Sequence, residues 1–246
     1  MSKATSDILR RLEELGEPYH VQLGINLFSG KSEEVFKWFL ASILFGARIS
    51  EKIAVRTYKE FEKAGLLSPQ AIIARGWSGL VGVLDKGGYV RYDFSTASQL
   101  LETCELLLEK YDGDLNRLHE LAKDSEDLER RLMEFKGVGR TTVSIFLREM
   151  RDFWKKANPP LEQATIQVAK NLGLIRREDP KESLLELRKI CGGRFLRIEV
   201  ALSRIGRKYC RKGNCEPCPL AAHCRLFKRV EKTKKGGVKS WRRRKR

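Results

Sequence analysis

Apolar residues recur at helical spacing along almost the whole chain. Ile8, Leu9, Leu12 and Leu15 make the first stripe, and Val35, Phe36, Phe39 and Leu40 make the second. Ser32 ahead of Glu33 and Glu34 predicts an N-cap followed by an acidic first turn. Ser50 opens the next helix, which Gly65 closes. Ser68-Pro69 reads as a cap with proline at the first helical position, and Gly76 ends that short helix. The Gly-rich, aromatic stretch 77–94 predicts one or two short helices with loops. Further helices are predicted from Ser95 to Lys110, after Asp114, from Ser125 to Phe135, and over 140–151, 162–172, 181–191 (capped by Asp179-Pro180) and 194–208. No segment alternates convincingly with period two. The predicted fold is therefore all-α, about ten helices on short loops.

Composition narrows the class. The chain is 41% hydrophobic, enough for a packed core and against wholesale disorder. No apolar run approaches the roughly 18 residues of a membrane span, and the start, MSKATSDILRRLEELG, lacks a secretory signal's apolar stretch. An intracellular protein without membrane spans is expected. Its 246 residues fit one large domain or two small ones. The net charge is +17, unevenly placed: residues 228–246 hold eleven Lys or Arg and one Glu, a net +10, leaving +7 for the rest. That tail reads as disordered and able to contact phosphates, although a solubility tail or an import signal has the same composition. The +7 must sit on folded surface and points to a polyanionic partner.

Two local patterns carry chemistry. In Met133 to Arg148, MEFKGVGRTTVSIFLR, a helix runs into Gly137-Val138-Gly139 and another leaves it. Both glycines permit positive φ and leave no side chain to block close approach. The outgoing helix starts with free N–H groups, a phosphate-sized anion site beside Arg140. Val138 is expected to point into the helix pair. A bare G-x-G also occurs in ordinary turns; Phe135 before it and Val143, Ile145 and Phe146 after it strengthen the reading. The second pattern is C-x4-C-x2-C-x5-C at Cys210, Cys215, Cys218 and Cys224. Four thiolates so close suit an iron–sulfur or a zinc site. A disulfide pair is disfavoured without a secretory signal. Zinc sites usually show two C-x2-C pairs, and only Cys215 and Cys218 form one here, so a compact cluster held by one loop fits better. Cys104 and Cys191 read as core thiols, and His223 as a surface residue.

Phe135-Lys136-Gly137-Val138-Gly139-Arg140-Thr141-Thr142-Val143 is similar to the helix-hairpin-helix motif, close to L-P-G-V-G-R-K-T-A. With the cysteine loop after it, residues 30–227 resemble the endonuclease III family of DNA glycosylases. That family's usual spacing is C-x6-C-x2-C-x5-C around a [4Fe–4S] cluster; the last two intervals agree here and the first is two residues shorter. The resemblance implies two all-α lobes. A six-helix barrel lobe spans 31–150 and ends at the hairpin, while the N-terminal helix (1–30) joins 151–227 and a structural, DNA-contacting cluster. It also implies a monomer acting on double-stranded DNA that contains a damaged or mismatched base.

The implied chemistry extrudes a nucleotide and breaks the base–sugar bond. A fixed carboxylate stabilises the positively charged sugar of the transition state. Members that also cut the backbone use a lysine amine two residues after the second hairpin glycine. That position is Thr141, so hydrolysis without lyase activity is expected. Lys136 replaces the usual proline, on the other side of the hairpin. The family carboxylate is an Asp in a V-D-x-x-h-x-R-V-like segment, and counting back from Val168 puts Glu162 in its place. Glu162 also fits a plain acidic residue at a helix N-terminus; Asp152 is the second candidate. The loop that fills the DNA gap, usually like L-L-S-A-Q-x-T, corresponds to Ile43 to Ser50. Its glutamine is Ala47, too small to plug a gap, leaving Arg48 or Ile49 as a wedge. Tyr89 and Tyr92 are candidates for a base pocket or for lobe core, and Trp77 and Trp154 for packing. The expected function is a monofunctional DNA glycosylase. The alternatives are a DNA-binding protein of glycosylase ancestry without chemistry, and an abasic-site lyase or endonuclease using a displaced lysine.

Overall fold

A computed structural model describes residues 2–229. The basic segment 228–246 lies outside the described residues except for Lys228 and Arg229, both exposed. Among the described residues there are helices and no strands: α1 (Lys3–Leu15), α2 (Tyr19–Leu23), α3 (Ser32–Gly46), α4 (Glu51–Lys63), α5 (Pro69–Gly87), α6 (Asp93–Tyr111), α7 (Leu115–Leu121), α8 (Ser125–Leu132), α9 (Arg140–Met150), α10 (Gln163–Asn171), α11 (Pro180–Cys191) and α12 (Phe195–Lys208). The all-α expectation holds. The helices form two compact units. One joins the residues up to Pro18 to those from Pro160 onward; the other is Tyr19–Pro159. Residues 19–30 and 151–159 thus belong to the second unit.

Caps read from the sequence set four of the helix starts. Ser50, Ser68, Asp114 and Asp179 each accept a backbone N–H of the first turn that follows them. Ser32 differs. It is the first helical residue, Lys31 is the cap, and the Ser32 hydroxyl donates to Asp114 Oδ1 at 2.7 Å. Asp124 rather than Ser125 caps α8, which ends at Leu132. Gly76 breaks α5 as expected, with φ +69 and ψ 167, but the chain re-enters a helix at once and continues to Gly87. The Gly-rich stretch is therefore helical for most of its length.

The core of the 19–159 unit is aromatic around α3 and α9. Phe39 packs edge-on against Phe135 (5.4 Å between centroids) and Phe146 (5.2 Å), and Trp154 meets Phe146 at 5.4 Å. Trp38 Nε1 donates to the Phe146 carbonyl at 3.1 Å. The other unit packs Leu9 and Leu12 of α1 with Ile166, Leu187, Ile198 and Leu202; Tyr209, Cys210, Cys218 and Cys224 lie against that cluster. Backbones meet closely there, since a Cβ on Gly16 would lie 1.7 Å from the Arg197 carbonyl oxygen. Cys104 and Cys191 are core thiols as expected, each pushed up to about 12 by burial.

A buried carboxylate ties α2 to α9. Glu149, 0% exposed, accepts the Tyr19 N–H (2.9 Å), the His20 N–H (3.0 Å) and lies 2.7 Å from His20 Nδ1. Glu149→Gln keeps the volume but turns an amide NH2 toward these donors. The variant is expected to lose about 2 kcal/mol, the cost of one unmet buried polar group, read as a lower urea midpoint at unchanged slope.

Candidate functional site

The hairpin between α8 and α9 is built from unlike glycines. Gly137 takes φ +76, and a Cβ there would lie 2.3 Å from Gln99 Oε1. Gly139 is extended (φ −96, ψ 179), and a Cβ there would meet nothing within 4 Å. Positive φ is thus needed only at Gly137; Gly139 matters by leaving the outer surface bare. Val138 is buried as expected, 4% exposed. Gly139 caps α9 without a side-chain hydrogen bond, so the first N–H groups of α9 have no capping partner from it. Arg140 and Thr141 are exposed. Lys136 is exposed and leans toward α6, its Nζ 3.8 Å from Glu102 Oε2.

A cavity of about 390 Å³ opens beside the hairpin, in the same unit, where α3 ends. Ala47, Arg48, Tyr89, Tyr92, Gln99 and Thr142 are among its lining residues. Gly46 lets α3 reach the start of α9, because a Cβ there would lie 2.2 Å from Thr142 Oγ1. Tyr89 is a buried wall: its hydroxyl donates to the Leu44 carbonyl at 3.1 Å, and burial raises its phenol. Tyr92 is half-buried, with the Arg91 guanidinium 5.4 Å from its ring centre. Arg48 is exposed at the bend after α3. Trp154 packs in the core as expected. Trp77 does not: it is 44% exposed, tilted 5.5 Å from Phe94, and donates to Ser98 Oγ at 3.0 Å.

In the other unit, Glu162 is the N-cap of α10 and makes no capping hydrogen bond. Its carboxylate accepts from Ser203 Oγ at 3.3 Å, and the same Oγ accepts from Arg207 Nη2 at 3.1 Å. Ser203 and Arg207 are one helical turn apart on α12. A mere first-turn acid would serve its own helix, whereas this carboxylate meets a hydroxyl backed by a guanidinium. Asp152 is exposed in the turn after α9.

The cysteine loop follows α12. Burial comes first in pushing the Cys210 thiol up to about 11, and the nearby Cys218, Cys224 and Cys215 add to it. The Cys218 thiol is likewise raised by burial and by Cys224 and Cys215, partly offset by a backbone hydrogen bond. The four thiols are electrostatic neighbours, yet among the described residues no three His, Cys, Asp or Glu are grouped to hold a metal ion. The donor set is chemically apt, because four soft sulfurs in one short loop suit a thiolate-held metal centre. His223 is anchored as well as part-exposed, its Nε2 3.3 Å from Asp7 Oδ2 of α1.

Sequence reasoning missed Gln99, Ser203, Glu149 and His20. Gln99 had a signal: Tyr92, Ser95, Thr96 and Gln99 fall at i, i+3, i+4 and i+7, a polar stripe on one helix face. The other three act through distant partners.

Several solved structures are similar to this chain. A thermostable thymine-DNA glycosylase has a TM-score of 0.54 at 14% identity, covering 92% of this chain and 98% of that one. A non-covalent endonuclease III–DNA complex has 0.50 at 23%, covering 79% and 85%. The 3-methyladenine DNA glycosylase of H. pylori bound to 1,N6-ethenoadenine has 0.50 at 13%, covering 83% and 97%. No family model and no curated protein matches the chain. At these identities the likeness establishes the fold, that of the helix-hairpin-helix DNA glycosylases. Among the described residues no helix is long and apolar enough to cross a membrane.

Proposed function

We propose that this protein is a DNA repair glycosylase that hydrolyses the N-glycosidic bond of a damaged or mismatched base and does not itself cut the strand. The observation that carries the reading is the carboxylate of Glu162 at the start of α10, which accepts from Ser203 Oγ, in a fold shared with DNA glycosylases. When the base–sugar bond breaks, its electron pair leaves with the base and the sugar becomes an oxocarbenium ion. A negative carboxylate stabilises that charge. Water then adds its hydroxyl to the sugar and its proton goes to the base, giving an abasic site and free base. Ser203 and Arg207 are positioning residues for the carboxylate. Thr141 has no amine, so no Schiff base forms at that position.

The hairpin is the proposed grip on DNA. The bare surface at Gly139, the start of α9 and Arg140 suit a backbone phosphate, and Arg48 suits a wedge in the opened stack. Cys210, Cys215, Cys218 and Cys224 are proposed to hold a [4Fe–4S] cluster, with zinc as the alternative; such a centre would fix the fold of the basic loop from Arg207 to Arg225. Gly139→Ala separates grip from fold. Its backbone angles and open surroundings accept a methyl, so stability should stay within about 0.5 kcal/mol. Duplex affinity should nevertheless fall several-fold, equally for all sequences, in a low-salt titration.

The reading is tested on abasic and lesion-bearing duplexes. Strand breaks are expected only after hot alkali, and borohydride should trap no covalent adduct. A trapped adduct would replace this reading by a lyase using a displaced lysine.

A further inference from the structure

The cavity at the end of α3 has a chemistry that base hydrolysis does not use. No Asp or Glu lines it, so it has no group to stabilise a cationic sugar. It opens where Ala47 offers only a methyl and backbone. Two long polar side chains border it. Among the described residues, neither the Gln99 amide nor the Arg48 guanidinium has a hydrogen bond or ion pair within the protein. Other long cations of the same unit do pair with carboxylates, as Lys37 does with Glu34, Lys63 with Glu60 and Arg131 with Asp127. Gln99 also lies against Gly137, which places the reading group beside the hairpin. Tyr92 adds an aromatic wall, with Ser95 and Thr96 on the same helix face.

An uncommitted amide offers one donor edge and one acceptor, and a guanidinium offers a planar fork of donors. On base edges these are the groups that read purines, Gln at adenine and Arg at guanine. We infer that this cavity receives an unpaired purine, the partner left behind when the target base is extruded, and that Gln99 and Arg48 determine its specificity. This inference rests on the proposed glycosylase function. It also explains why a small residue stands at position 47: a long side chain there would occupy the space the base takes.

The test uses duplexes carrying a tetrahydrofuran abasic analogue opposite each of the four bases, with the full chain and fluorescence anisotropy. The analogue has no base to remove, so the readout does not depend on Glu162. The wild type should bind purine-opposite duplexes about tenfold more tightly than pyrimidine-opposite ones. Gln99→Leu and, independently, Ala47→Gln should collapse that ratio toward one. Equal binding of all four duplexes by the wild type, or a loss in both variants that leaves the ratio intact, would overturn the inference while leaving the glycosylase reading standing. Absence of any preference for abasic over paired duplex would instead count against that reading itself. In a second arm, Glu162→Gln protein binds duplexes with one fixed partner and varied target bases. Gln99→Leu added to it should not change their ranking; a changed ranking would assign the cavity to the excised base and overturn the partner-base inference.

Discussion

Glu162→Gln is expected to reduce base release by roughly 10³-fold, the scale of losing a transition-state electrostatic contact. Glutamine is nearly isosteric and can still accept from Ser203 Oγ, which donates to Oε2 at 3.3 Å. The packing of α10 against α12 should therefore survive, and what disappears is the negative charge. The effect belongs in kcat more than in KM, because the sugar is cationic only near the transition state. Asp152→Asn is the discriminating control. Asp152 is exposed in a turn, and its loss should change base release by less than about twofold. The opposite ranking would make Asp152 the carboxylate. Ser203→Ala should fall between the two, since it loosens the carboxylate without removing it.

The second large effect is expected at the cysteine loop. Structural metal centres contribute about 10–16 kcal/mol to the folding of small zinc-binding peptides at neutral pH. Cys210, Cys218 and Cys224 pack against the same apolar cluster as α1, α10, α11 and α12. Cys218→Ser should consequently cost that unit most of its stability, with loss of bound iron and of the broad visible absorption of an iron–sulfur protein. A colourless wild type carrying stoichiometric zinc would decide for the alternative metal. Cys191→Ser separates the two classes of thiol. Cys191 is buried in the core, so that variant should melt lower yet keep its colour.

Local features were legible and long-range ones were not. The caps at Ser50, Ser68, Asp114 and Asp179 act over two or three residues, and each could be read directly from sequence. Ser32 misled because a tertiary partner, Asp114, competes for its hydroxyl. The five-residue α2 went unseen because it has almost no periodicity of its own and is held by Glu149, 130 positions from Tyr19. Val138 and the hairpin were legible because the motif is contiguous. The difference between Gly137 and Gly139 was not, since it depends on what faces each Cα: Gln99 at one, open space at the other. Counting singles out Glu162 as the proposed carboxylate, while its contact with Ser203, and Arg207 behind it, lie on a helix 41 residues away and leave no local signal.

The most direct measurement is the release of free base from a panel of duplexes bearing uracil, oxidised pyrimidines, oxidised guanine, alkylated purines and mismatches, followed by mass spectrometry for wild type and Glu162→Gln side by side. At least one duplex should yield free base with the wild type, and the same duplex almost none with the variant. No free base from any duplex under conditions where the protein binds them would contradict glycosylase activity and leave a DNA-binding protein; equal release by wild type and variant would remove Glu162 from the chemistry.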